Sequence, residues 1–66
     1  MNRYHIEVVM ADKKYTRVLE AQGVSWSDSG LYEFWSTDEN GMRRAVAYFP
    51  VSRTLIDTIE YDIEND

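Results

Sequence analysis

The stretch Leu31-Tyr32-Glu33-Phe34-Trp35-Ser36-Thr37-Asp38-Glu39-Asn40-Gly41-Met42-Arg43-Arg44-Ala45-Val46-Ala47-Tyr48-Phe49-Pro50 decides the fold. Two runs rich in aromatic and small apolar residues flank Asn40-Gly41. That dipeptide is a strong hairpin signal, because a type I′ turn needs positive φ at both central positions. A turn there pairs Trp35 with Val46, Phe34 with Ala47, Glu33 with Tyr48 and Tyr32 with Phe49. One face then carries Tyr32, Phe34, Ala45, Ala47 and Phe49, large rings set against small alanines as a close-packed core requires. The other, mixed face carries Leu31, Glu33, Trp35, Val46 and Tyr48. Pro50 lacks a ladder donor and ends the strand.

Outward from this hairpin, residues 3–10 alternate with Tyr4, Ile6, Val8 and Met10 on one face, and residues 15–21 place Tyr15, Leu19 and Ala21 together. A two-residue turn at Asp12-Lys13 pairs Met10 with Tyr15 and Ile6 with Leu19. Arg17 then stands opposite Val8, the one charge on an apolar face. Residues 22–30, with two glycines and three serines around Trp26, read as a loop. Residues 55–64 read as a last strand, with Leu55, Ile59, Tyr61 and Ile63 on one side and Glu60, Asp62 and Glu64 on the other. A helix over residues 52–63 also fits Leu55, Ile56, Ile59 and Ile63, which makes an α+β fold the alternative. The β-branched content of the segment favours the strand. The expectation is one all-β domain over residues 1–66. It is drawn as a single antiparallel sheet of about five strands in a meander, curled towards an open barrel so that its edges are not left wet.

Gly23-Val24-Ser25-Trp26, Asp28-Ser29-Gly30-Leu31-Tyr32-Glu33-Phe34, Gly41, Ala45-Val46-Ala47-Tyr48-Phe49-Pro50 and residues 56–60 together resemble short β-proteins of bacterial and phage genomes. The resemblance covers about two-thirds of the chain. It implies an all-β fold and a mobile-element origin, and it implies no activity.

A chain of 66 residues makes one domain. At that size only about 60% of the unfolded surface is buried, so a homodimer is a reasonable expectation. With no cysteine there is neither a disulfide framework nor a thiolate metal site, which fits a reducing cytoplasm. No run reaches the roughly 18 apolar residues of a membrane span, and Met1-Asn2-Arg3-Tyr4-His5 does not read as a signal peptide. Seven Lys and Arg stand against twelve Asp and Glu, a net charge of −5. Direct binding to a phosphate backbone is therefore not expected. The charge is also uneven. Residues 57–66 hold Asp57, Glu60, Asp62, Glu64 and Asp66 and no base, while the first 56 residues balance to zero.

The chemical motifs stop short of a catalytic or metal site. His5, the one imidazole, shares a strand face with Glu7, but the serines at 25, 27 and 29 sit in no nucleophile elbow, so it reads as a surface residue. Ser36-x-Asp38-x-Asn40-Gly41 begins like a calcium loop and then fails, with Arg44 at its ninth position and Ala47 where a bidentate Glu is needed. No catalytic residue, metal or cofactor is expected. The reading is a non-enzymatic, protein-binding module. Extended, Glu60, Asp62 and Glu64 would repeat every 6.6–6.8 Å or so, a row of carboxylates that could imitate phosphates before the basic surface of a partner protein. Asp38, Glu39 and the tryptophans Trp26 and Trp35 would extend that interface, since tryptophan is enriched at binding hot spots. An inhibitor of phage or anti-CRISPR type is the narrower form. Two rivals are a small barrel binding RNA or DNA through Trp35, Tyr48, Arg43 and Arg44, and an oligomer that holds a small ligand.

Overall fold

The structure is a computed structural model that describes residues 1–63. Six strands form: β1 (Asn2–Met10), β2 (Lys13–Ala21), β3 (Gly23–Trp26), β4 (Leu31–Thr37), β5 (Arg43–Pro50) and β6 (Thr54–Glu60). The expected all-β, antiparallel character holds, and the alternative helix over 52–63 does not form. Only a 3-10 turn at Val51–Arg53 interrupts the strands there.

The arrangement differs from a single curled meander. There are two three-stranded sheets, β2-β1-β6 and β3-β4-β5. Two residues account for the difference. Gln22 ends β2 and starts β3 at a bend, its N–H donating to the carbonyl of Trp35 and its side-chain oxygen accepting from the amide and hydroxyl of Thr37. The segment expected to be a loop thus supplies β3, with Val24 opposite Phe34. At the other corner Pro50 and the 3-10 turn lift the chain off β5, so β6 pairs with β1 instead.

The core lies between the sheets. Tyr4, Ile6 and Val8 of β1, Ala21 and Phe34 are buried, with Leu19, Val24, Tyr32, Ala47, Phe49, Ile56 and Ile59 packed around them. Phe34 is fully enclosed, meeting Tyr4 edge-on at 5.0 Å and Phe49 at 5.8 Å between centroids. Such pairs contribute about 0.5–1.5 kcal/mol each beyond their buried area.

Three registers depart from the sequence reading. The β1–β2 turn is Ala11-Asp12, so Met10 faces Lys13, Val8 faces Tyr15, Ile6 faces Arg17 and Tyr4 faces Leu19. The slip is two residues, and because side chains alternate with period two the inward faces are kept. Ala11 takes φ 53°, a conformation that costs a non-glycine residue about 1–2 kcal/mol. In the β4–β5 hairpin the pairs Phe34–Ala47, Glu33–Tyr48 and Tyr32–Phe49 form as expected, but Trp35 faces Ala45. Val46 is an extra, bulged residue, and it turns Ala45 out of the core face. In β6 Asp57 is the bulged residue, with His5 facing Thr58 and Ile6 facing Ile56. That bulge puts Ile56 and Ile59 inward and leaves Leu55 exposed. A bulge adds one residue to one strand and so reverses the alternation beyond it.

The turn at Asn40-Gly41 is not type I′. Only Gly41 has positive φ, 79°. Its N–H donates to the carbonyl of Asp38, and the N–H of Asp38 donates to the carbonyl of Met42. Ser27-Asp28-Ser29-Gly30 closes the β3–β4 hairpin with the same two bonds, from Gly30 to Ser27 and from Ser27 to Leu31. Both tips are four-residue turns ending on a left-handed glycine.

Candidate functional site

Glu60 is the last residue of β6, where it faces Arg3. Its carboxylate lies 2.5 Å from Nε2 of His5 and 3.7 Å from Arg3, and Arg3 also reaches Glu20 at 3.3 Å. The His5 contact, followed by the charge of Arg3, holds the Glu60 carboxyl below its ordinary range. His5 is thus engaged by Glu60 across the sheet, not by Glu7 along its own strand. The strand stops there. Asp62 has φ 53°, and its N–H donates to Oδ1 of Asn2 at 3.1 Å. A strand running to residue 64 is therefore corrected: Glu60 and Asp62 are not successive rungs of one extended row, because the backbone turns between them. Glu64 lies outside the described residues.

Asp38 works inside its own hairpin. Oδ1 accepts from the amides of Asn40 at 2.9 Å and Met42 at 3.0 Å, and Oδ2 accepts from Nε of Arg44 at 3.1 Å. The Met42 amide and then the Arg44 guanidinium hold its carboxyl below the usual range. The Val46 bulge sets Arg44 opposite Ser36, on the side of the strand that Asp38 shares. Arg43 instead places its guanidinium 4.4 Å from the centroid of Trp35 and donates to the Ser25 hydroxyl at 2.9 Å. Trp35 is half-buried beneath it, with its indole lying directly over Gly23. Trp26 is 71% exposed and touches only the edge of Tyr32 among rings, at 6.3 Å.

One hydrogen-bond relay brings the two acidic segments to the same end of the molecule. Asn2 accepts from the Asp62 amide and donates to the carbonyl of Gln22, and Gln22 accepts from Thr37, the residue before Asp38. Glu60, Asp62, Asp38 and Glu39 therefore share an end, and Glu39 is exposed at its tip. Trp26 stands apart, at the far end of β3–β4 from the Asp38 turn. The candidate residues form an acidic end plus one remote tryptophan. No sequence signal marks Asn2 and Gln22 as the joint, since isolated amides carry no pattern.

The opposite end is basic. Arg3 and Arg44 hold ion pairs and Arg43 lies on Trp35, which leaves Lys13, Lys14, Arg17 and Arg53 without ion-pair partners among the described residues. Here the sheets part around a cleft of about 380 Å³. Val8 and Phe49 line its interior side, Met10 and Pro50 add apolar surface, and Tyr15 and Tyr48 bring ring and hydroxyl. Arg17 and Arg53 complete it.

Among the described residues no group of three or more His, Cys, Asp or Glu could hold a metal ion, and no helix is long and apolar enough to cross a membrane. Set against protein-family models, curated proteins and solved structures, the chain matches none of them.

Proposed function

We propose that the chain is a non-enzymatic protein-binding module whose acidic end covers a basic surface on a partner protein. The observation that carries this is the relay from Asp62 through Asn2 and Gln22 to Thr37, which gathers Glu60 and Asp62 with Asp38 and Glu39. Glu60 and Asp38 are fixed by neighbours, while Glu39 and Asp62 have no ion-pair partner among the described residues. Fixed carboxylates cost less side-chain entropy to present to a partner. The exposed apolar surface supports the same class of function. Among the described residues twelve large hydrophobic side chains are exposed, Trp26 most of all at 71%, and tryptophan is enriched at binding hot spots. In its narrower form the module is a phage or mobile-element inhibitor that competes with nucleic acid for a basic groove. The acidic cluster takes the place of the regular carboxylate row.

The test is affinity capture from the native host, using the wild type and a variant with Glu39→Gln, Glu60→Gln and Asp62→Asn. Asn tolerates the left-handed backbone at position 62, so the variant should keep its circular dichroism. The wild type should capture a protein in a complex that weakens steeply with salt, and the variant should lose it. Equal capture by both proteins, with the same salt response, would sink the acidic-end reading.

A further inference from the structure

The cleft at the basic end is lined by a residue whose position breaks the pattern of its own strand. β2 presents Tyr15, Arg17 and Leu19 towards the interior, opposite Val8, Ile6 and Tyr4, all three of which are buried. Arg17 is thus a cation cross-strand from Ile6 on that side of β2, and it is exposed to solvent there. The ordinary account of such an arginine is a carboxylate partner, or a stem lying on apolar surface with its head in water. The chain has twelve carboxylates, yet Arg17 has no ion-pair partner among the described residues. Arg53, delivered to the same cleft by the 3-10 turn after β5, has none either. Both are exposed, so the two guanidinium groups are open to an anion from solvent beside the apolar lining they share.

We infer that this cleft binds a free medium-chain aliphatic carboxylate, its chain against Val8, Met10 and Phe49 and its head group between Arg17 and Arg53. Size and charge both fit. A volume of about 380 Å³ falls within the 300–1,000 Å³ or so typical of small-molecule sites, which are mostly apolar with a few convergent polar groups. Guanidinium groups match carboxylates two bonds at a time, and the hydroxyls of Tyr15 and Tyr48 offer further donors. The acid is preferred over an acidic peptide because the lining is mainly apolar and its two cations suffice for one head group. The site is independent of the acidic end, which lies at the other extreme of β1.

The experiment titrates octanoate, decanoate, decanol and decyltrimethylammonium into the full chain, followed by amide chemical-shift mapping and calorimetry. Decanoate should saturate below about 1 mM and move the amides of residues around Val8, Tyr15 and Phe49. Each added methylene should tighten binding about fourfold, so decanoate should exceed octanoate by about fifteenfold. Decanol should bind at least tenfold more weakly, and the cation not at all. Arg17→Gln and Arg53→Gln should each weaken decanoate about tenfold, as loss of a charge-assisted bond does, with octanoate and decanoate affected alike. Equal binding of decanol and decanoate would overturn the inference, as would shifts confined to the outer sheet faces or no saturable binding. The comparison of ligands on the wild type stands even if a variant loses stability.

Discussion

Replacing Gly23 with alanine probes the close approach of the Trp35 indole to the backbone of β3. A Cβ there would stand 2.5 Å from Cζ2, 2.8 Å from Cε2 and 3.1 Å from Nε1 of Trp35. Carbon atoms rest about 3.5–4.0 Å apart, so the near edge of the indole must move by roughly 1 Å. Arg43 is stacked on that ring at 4.4 Å and bonded to Ser25, so it moves too. Overpacking costs about 1–3 kcal/mol, and the half-buried indole can give, which places this case near the middle of the lower half. Weakening the cation–π contact adds about 0.5 kcal/mol. Alanine also restricts the unfolded chain, which returns about 0.4–1 kcal/mol. The net is a destabilisation of about 1.5 kcal/mol, or a Tm lower by roughly 6–12 °C in a domain this small. In a Trp35→Ala background the clash is gone and only the unfolded-chain effect remains, so the same Gly23→Ala change should stabilise by about 0.5 kcal/mol. Urea denaturation followed by far-UV circular dichroism on all four proteins reads this change of sign as a coupling of about 2 kcal/mol. A coupling below about 0.5 kcal/mol would refute the packing described for Trp35.

Other expected outcomes follow from single residues. Ala11→Gly should raise stability by about 0.5–1 kcal/mol in the same denaturation assay, because relief of the left-handed strain exceeds the extra freedom glycine gives the unfolded chain. Asp38→Ala removes the acceptor of two turn amides and the partner of Arg44, and should lower the urea midpoint, whereas Glu39→Ala beside it should leave the midpoint nearly unchanged. Asp38 and Glu60 are held below their ordinary values of 3.8 and 4.5, so the stability they contribute is complete above those values and is lost as pH falls through their lower folded values. Acid unfolding should therefore steepen below pH 4.5, and Glu60→Gln should remove part of that slope. His5→Ala should raise the Glu60 titration observed by carboxyl NMR, since the His5 contact is the largest cause of its depression.

Much of the fold was legible in the pattern of side chains. Alternation alone marks Tyr4, Ile6, Val8 and Phe34 as core, and these four, with Ala21, are the buried residues. What alternation misses is where it is interrupted. Val46 and Asp57 are bulged, which reverses the alternation beyond them, so the faces of Ala45 and Leu55 could not be read by simple period-two counting. β3 was missed because its glycine and serine look like loop residues, although Gly23 is there to let the Trp35 ring lie flat. The partner strand of β6 depends on a corner at Pro50, and a proline says that a strand ends without saying where the chain goes next. At the candidate site the acidic residues were visible but their gathering was not, because it rests on Asn2 and Gln22. Arg17 was visible as a misplaced charge and was read only as a flaw in register.

The pairing of β6 with β1 also governs how the molecule is assembled in time. β1–β2, β3–β4 and β4–β5 are hairpins of neighbouring strands, while the β1–β6 ladder joins positions 3 and 60. Local contacts close quickly, whereas a ladder between distant positions must first overcome the entropy of the chain between them. The hairpins thus form early and the last strand docks late. The N–H of Ile63 donates to the carbonyl of Met1 at 2.8 Å, so the start of β1 and the residues that follow β6 are neighbours in space. A circular permutant linked there and opened at the Ser27–Gly30 turn would make β6 and β1 a hairpin of their own. The β1–β6 ladder would become local and the shorter β3–β4 ladder would become the long-range one, so refolding should accelerate modestly without a matching change in the rate of unfolding.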